Sequence, residues 1–202
     1  LPPHLVQAVL AVEDRRFEEH HGVDPRRVVG ALLANLRAGR VTQGASTLTQ
    51  QLVKNFFLTP ERTFSRKAKE AAMALIVEAR YDKQAILEAY LNEIYLGQRG
   101  STAVHGVGEA ARLYFGKSAS ELSLSESALI AAIIQSPNGI SPHRHPERAR
   151  ARRDLVLALM HAQGFIDDAA LASAKADALQ VAVVTPESGE TRYFLDMLSR
   201  QL

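Results

Sequence analysis

The sequence predicts a mainly α-helical fold on three grounds. Apolar residues recur at three- and four-residue spacing along most of its 202 positions, capping residues punctuate those segments, and only QVAVVTP (Gln180–Pro186) has the composition of a strand. Helices are expected at about 4–20, 26–38, 46–57, 65–80, 83–96, 105–115, 124–135, 146–163 and 168–178.

Each element has its own warrant. In the first, LVQAVLAV (Leu5–Val12) contains one polar residue, Gln7, so apolar side chains surround most of the helix axis and the helix should be buried on nearly every side. Asp24 supplies an N-cap and Pro25 a first turn for the second, and Gly39 a stop. The third opens on hydroxyl and amide residues before Leu52 and Val53. In the fourth, positions 68, 71, 72, 75, 76 and 79 make an apolar stripe, and Met73, Ala74 and Val77 on the other face predict burial on all sides. The fifth is an amphipathic segment with Gly97 as its stop, and the sixth follows by periodicity. Ser123 and Glu126 fit a capping box before the seventh, and Gly164 closes the eighth ahead of the short ninth.

At 47% hydrophobic, the chain can bury a real core as one domain, or as one domain with a small lobe. Without cysteine there are no disulfides and no thiolate metal sites. Its apolar runs fall short of the roughly 20 residues that span a bilayer, and Leu1-Pro2-Pro3 reads as the start of an excised domain. A net charge of +2 gives no argument for a nucleic-acid partner. Its distribution is more telling, with cations concentrated from Lys54 to Lys69 and from His143 to Arg153.

Two carboxylates stand out. The first helix runs into Glu13 and Asp14, although desolvating an ion is expensive. The fourth carries Glu70 in its first turns, with Arg66 and Lys67 on the same face. If these ends meet they form a cleft with two unlike acids. Burial, Asp14 and the negative helix end would raise the pKa of Glu13, whereas Glu70 is expected as an ion-paired carboxylate. Environments that separate two acids in this way suit acid–base chemistry, but structural ion pairs capping the core account equally well for either helix taken alone. In GASTLTQQLVKN (Gly44–Asn55), hydroxyls and amides suit a sugar or peptide ligand. Lys54, Arg62, Arg66 and Lys67 follow within fourteen positions and suit phosphate oxygens. The combination points to a sugar phosphate.

The segments EDRRFEEHHG, GASTLTQQLVKN, RKAKE, KQAILEAYLNEIYLG and RRDLVL resemble, in order and spacing, the five motifs of the peptidoglycan glycosyltransferases, glycosyltransferase family 51. These are the polymerase domains of class A penicillin-binding proteins and their monofunctional relatives. The resemblance implies a lysozyme-like helical domain over residues 1–180. A smaller lobe at roughly 39–65 would face the membrane, and residues 181–202 would lead towards a further domain. It implies polymerisation of lipid II into β-1,4 glycan strands, with inversion at the donor MurNAc and release of polyprenyl pyrophosphate. The expected partners are lipid II, the growing strand, the membrane surface and other cell-wall synthesis proteins, at the outer face of the cytoplasmic membrane.

By the same resemblance Glu13 is the catalytic base and Glu70 the second glutamate, beside the donor pyrophosphate. Lys54, Arg62, Arg66 and Lys67 match phosphate-contacting positions, and Ser46, Thr47, Gln51 and Asn55 match positions that contact substrate or shape the site. Asp14, Phe17 and His20 complete the first motif. Tyr90, Asn92 and Tyr95 are read mainly as packing behind the site, and Arg152 as a buttress of fold or cleft. A divalent ion, Mg or Mn, is expected to be held mainly through the substrate pyrophosphate. A pyrophosphate leaves as a stable anion and needs cations, whereas a glycosidase must protonate a departing sugar oxygen. The cation cluster therefore favours transfer over the rival muramidase-type hydrolase, and a non-catalytic glycan-binding domain is the second rival.

Overall fold

The computed structural model describes residues 1–40, 44–57 and 63–182. Its elements run α1 (Pro3–Glu13), α2 (Pro25–Ala38), α3 (Leu48–Phe57), α4 (Phe64–Arg80), α5 (Lys83–Glu93), β1 (Tyr95–Arg99), β2 (Thr102–His105) and α6 (Gly106–Phe115). A 3₁₀ turn at Ala119–Glu121 then leads to α7 (Leu124–Ile134), α8 (Pro146–Ala162) and α9 (Asp168–Ala176). Thus the mainly α expectation holds, and the helix positions agree to within a few residues except at two ends. The small lobe at 39–65 and the segment from 181 onwards lie partly or mostly outside the described residues, as does most of the QVAVVTP strand.

α7 is the centre of the core. Every residue from Ala128 to Ile134 is buried, and α1 and α8 pack against it. A helix that is apolar all round needs neighbours on all sides, which α1, α6, α8 and α9 supply. Its N-terminus carries the expected capping box, with Ser123 accepting from the Glu126 amide and Glu126 accepting from the Ser123 amide. α1 is buried as expected, with Leu5, Ala8 and Val9 wholly inaccessible. Arg153 on α8 is 0% exposed, yet its guanidinium is satisfied. It donates to the Asp177 carbonyl at 2.9 Å, the Lys175 carbonyl at 3.2 Å and Ser125 Oγ at 3.2 Å, tying the end of α9 to α7 and α8.

Three expectations need correction. The first helix stops at Glu13 rather than continuing to 20, because Asp14 leaves helical geometry at φ −157°, ψ 75°. The fifth helix ends at Glu93, and Tyr95–Leu96 turn into an antiparallel hairpin with Thr102–His105. Gly97 is therefore no helix stop. It lies at the hairpin's irregularity with φ 139°, where a Cβ would stand 2.4 Å from the Tyr114 hydroxyl oxygen.

The fourth helix is not buried on all sides. Only Glu70 and Ala74 are buried, while Leu75 and Ile76 on the predicted stripe are half exposed. Its inward face is the other one, because Arg66, Lys67 and Glu70 bond among themselves and to Ser46 beneath, turning that face towards α3.

Candidate active site

The end of α1 separates two adjacent carboxylates. Asp14 points inward and is 1% exposed. Its Oδ2 accepts from His20 Nε2 at 2.9 Å and from the Leu48 amide at 2.9 Å, so it joins α1 to the first turn of α3. Glu13 turns the opposite way, into a cavity of about 440 Å³ lined by Ser46, Gln51, Lys54, Asn55, Arg27 and Arg152 among others.

Gln51 holds the Glu13 carboxylate. Its amide Nε2 donates to Glu13 Oε2 at 2.8 Å, and its Oε1 accepts from the buried Tyr90 hydroxyl at 3.3 Å. That second bond orients the amide so that its NH₂ faces Glu13. Burial raises the pKa of Glu13. The Gln51 hydrogen bond and then the Arg27 and Arg152 charges oppose the rise, and Asp14 adds to it. Arg27 also donates to the Glu13 carbonyl, covering one of the acceptors that the end of α1 leaves open. Burial first, with Glu13 and Asp14 adding to it, also pushes the Tyr90 phenol well above its usual range.

Glu70 is 2% exposed and is claimed by two cations. Arg66 Nη1 lies 2.8 Å from its Oε2, and Lys67 Nζ donates to its Oε1. Lys67 Nζ also donates to Ser46 Oγ at 2.6 Å. Because Ser46 lines the Glu13 cavity, this bond connects the α4 cations to the cleft. Lys54 and Asn55, one turn beyond Gln51 on α3, complete that wall.

The predicted residues thus fall into three groups. Glu13, Ser46, Gln51, Lys54 and Asn55 share one cavity, and Arg66, Lys67 and Glu70 adjoin it through Ser46. Asp14, Phe17, His20 and Thr47 are buried behind it instead. Thr47 Oγ1 donates to the Gly22 carbonyl at 2.6 Å, and Phe17 sits edge-on to His20 with Lys83 Nζ 4.4 Å from its ring centroid. Lys83 also donates to the His20 carbonyl at 2.6 Å and pairs with the buried Glu78 carboxylate at 2.6 Å. Arg62 lies outside the described residues.

The sequence reading missed Arg27 and Gln135, took Tyr95 mainly as packing behind the site and Arg152 as a buttress of fold or cleft; all four line the cavity. Of the RR pair in RRDLVL, Arg153 is the buttress and Arg152 the cleft residue. The signal for Arg27 was present in DPRR, where an N-cap and Pro fix a helix start and hence the direction of the next side chains. Among the described residues no three His, Cys, Asp or Glu side chains are grouped to hold a metal ion.

Residues 1–161 match the model of the transglycosylase family. The chain is 55% identical over 159 residues to penicillin-binding protein 1B of Vibrio cholerae, covering 79% of this chain and 20% of that protein. It is 51% identical over 166 residues to penicillin-binding protein 1A of Aquifex aeolicus, covering 82% and 22%. The match to penicillin-binding protein 1A of Escherichia coli extends over 201 residues at 43% identity, covering 100% and 23%. The chain therefore spans about a fifth of the length of these relatives. The crystal structure of penicillin-binding protein 1A from Haemophilus influenzae aligns over the whole chain with a TM-score of 0.54 at 24% identity, covering 20% of that chain, and so shares its fold.

Proposed function

This chain belongs to the transglycosylase family, and from that premise we propose that it polymerises lipid II into β-1,4 glycan strands. The observation that carries the reading is Glu13, a half-buried carboxylate with a raised pKa, held by Gln51 in a cavity whose other walls carry Lys54, Arg27 and Arg152. A raised carboxylate within a polar cavity is suited to accept a proton during the reaction. Glu13 takes the proton of the 4-hydroxyl of the acceptor GlcNAc as that oxygen attacks the anomeric carbon of the donor MurNAc. The bond to the polyprenyl pyrophosphate breaks on the opposite face, and configuration inverts.

The leaving group departs as an anion, so the site must supply positive charge rather than a proton. Lys54 lies on the cavity wall, and Arg66 and Lys67 are held beside it by Glu70 and Ser46. Glu70 thereby fixes the direction of two cations that would otherwise be mobile. A hydrolase would need a second acid free to protonate a leaving sugar oxygen, and both oxygens of Glu70 are occupied by cations. No group of three His, Cys, Asp or Glu side chains is placed to hold a metal among the described residues, and a divalent ion would arrive with the pyrophosphate.

The surface supports a membrane setting at the outer face of the cytoplasmic membrane. Val28, Val29, Leu32, Leu33 and Leu36 on α2 are exposed, as are Phe56 and Phe57 at the end of α3 and Phe64 at the start of α4, the last 96% exposed. An apolar helix face with arginines at its ends fits an interfacial helix, and no described helix is long and apolar enough to cross a bilayer.

Lipid II turnover in detergent, with products resolved by length, tests the reading. Wild type is expected to give long strands, and Glu13→Gln, which preserves shape and the Gln51 contact, none. A Glu13→Gln variant that keeps the wild-type rate would remove Glu13 from the role of base.

A further inference from the structure

One wall of the Glu13 cavity is built by neither α1 nor α3. Ile94 and Tyr95, where α5 gives way to β1, line it together with Ile134, Gln135 and Pro137 at and beyond the end of α7. Tyr95 is half-buried there. Its hydroxyl donates to Asn138 Oδ1 at 3.2 Å, and its ring centroid stands 5.6 Å from that of His105. Both partners are reached at the solvent-exposed edge of the ring, so its direction into the cavity is set chiefly by the backbone beneath it.

That backbone is irregular. Tyr95 lies opposite His105 and Gly97 opposite Val104, so Leu96 is an extra residue with no counterpart across the hairpin. A bulge of this kind takes the extra residue out of the ladder and re-aims the side chain beside it. Leu96 is wholly buried, where an unbonded carbonyl is costly. Tyr114 on α6 removes that cost, since its hydroxyl donates to the Leu96 carbonyl at 2.7 Å. The hydroxyl has room because Gly97 carries no side chain; a Cβ there would stand 2.4 Å from its oxygen. Tyr114 is itself buried, and burial first, with Tyr95 adding to it against the charge of Arg144, pushes its phenol up to about 12. The donor therefore keeps its proton throughout the range in which a carboxylate such as Glu13 titrates.

Resting on the proposed polymerase reading, we propose that Tyr114 is a positioning residue of the active site: through the Leu96 carbonyl and the bare backbone of Gly97 it fixes the bulge that aims Tyr95 into the Glu13 cavity. Two helices then set the site by separate routes. α3 brings Gln51 to Glu13, and α6 holds the wall that carries Tyr95. Loosening the second route alters how substrate is held and leaves the ionisation of the base alone, because the Tyr114 hydroxyl bonds Leu96 and not Glu13 or Gln51.

The test starts from Tyr114→Phe, which removes one hydroxyl. Lipid II kinetics in detergent, run well below each protein's Tm, are compared for wild type, Tyr114→Phe, Tyr95→Ala and the double variant. The same substitutions in a Glu13→Gln background give dissociation constants for lipid II without turnover. Tyr114→Phe is expected to raise KM at least about threefold with kcat within about twofold and the acid limb of the rate profile unmoved. Beside Tyr95→Ala it should add nothing to KM, because the ring that it positions is gone. Gly97→Ala, which crowds the same hydroxyl, should shift KM in the same direction. A lower Tm with unchanged KM would give Tyr114 to the fold alone and overturn the assignment. Effects of Tyr95→Ala and Tyr114→Phe that simply multiply, or a displaced acid limb, overturn it too. A wild-type chain without turnover overturns the polymerase reading, and the dissociation constants then decide on Tyr114 separately. A weakening by Tyr114→Phe that vanishes beside Tyr95→Ala keeps the positioning role, and an unchanged constant ends it.

Discussion

Gln51→Met isolates the one hydrogen bond that steadies the charged form of Glu13. Gln51 Nε2 donates to Glu13 Oε2 at 2.8 Å in a half-buried site. A hydrogen bond to a charged group contributes about 1.5–3 kcal/mol, and this one holds the Glu13 pKa down against burial, so its loss should raise that pKa further. The sign follows from the chemistry. A base works only when deprotonated, so raising its pKa moves the acid limb of the rate profile to higher pH. Below that limb the variant should run about 10–100-fold slower than wild type, and above it the rates should converge. Met fills similar volume without a donor, leaving the Tyr90 hydroxyl without its partner and lowering stability modestly. The assay is kcat/KM for lipid II across pH, which reports the free enzyme. A uniform loss at every pH, with the limb in place, would refute the claim that Gln51 acts through the ionisation of Glu13.

Two further outcomes follow from backbone contacts. Asp14→Ala removes two buried hydrogen bonds, to His20 and to the Leu48 amide, and should cost about 3–5 kcal/mol in denaturant unfolding. Asp14→Asn can place its carbonyl oxygen where Oδ2 was and should lose clearly less; equal losses would mean that the links between α1 and α3 are not what matters at this position. Gly22→Ala should destabilise by at least about 2 kcal/mol, because φ is 85° and a Cβ would lie 2.7 Å from the Ala74 carbonyl carbon and oxygen. An unchanged Tm for Gly22→Ala would contradict that geometry.

Much of this architecture was legible because helix signals are local. Asp24-Pro25, Ser123 with Glu126, and Gly39 fix ends through backbone hydrogen bonds within a turn or two, and each cap stands where it was expected. What the sequence could not reveal was which face of a helix turns inward when both are apolar. α4 is the case in point. Its stripe at Leu75 and Ile76 looked like core, yet the face that packs is the one carrying Glu70, because Lys67, paired with Glu70 on that face, bonds to Ser46, a partner 21 residues away that no local pattern reveals. The hairpin after Glu93 escaped for the same reason, since Gly97 is required by the approach of Tyr114 and not by a local turn. At the candidate site, residue types identified Glu13 and its polar wall. The separation of Glu13 and Gln51, which line the cavity, from Asp14 and His20, which sit behind it, depends on directions that only the fold supplies.

Why a buried helix should end on two carboxylates then has a physical answer. Consecutive residues on a helix point about 100° apart, and Asp14 departs from helical geometry, so two adjacent acids at the end of α1 face different surroundings. Asp14 takes the inward direction, where the Leu48 amide at the start of α3 is an open donor and a carboxylate is its natural acceptor. That bond sets the start of α3 against the end of α1, and Gln51 follows Leu48 by three residues, about one helical turn. Gln51 is thereby aimed at Glu13. One acid fixes the helix that carries the hydrogen-bond donor for the other. An Asp14 variant that still folds should therefore disturb Glu13 through the position of Gln51, and its acid limb should move in the same direction as that of Gln51→Met. If the limb moves only downward, as expected from the loss of the Asp14 charge alone, the two carboxylates are coupled by charge and not through α3.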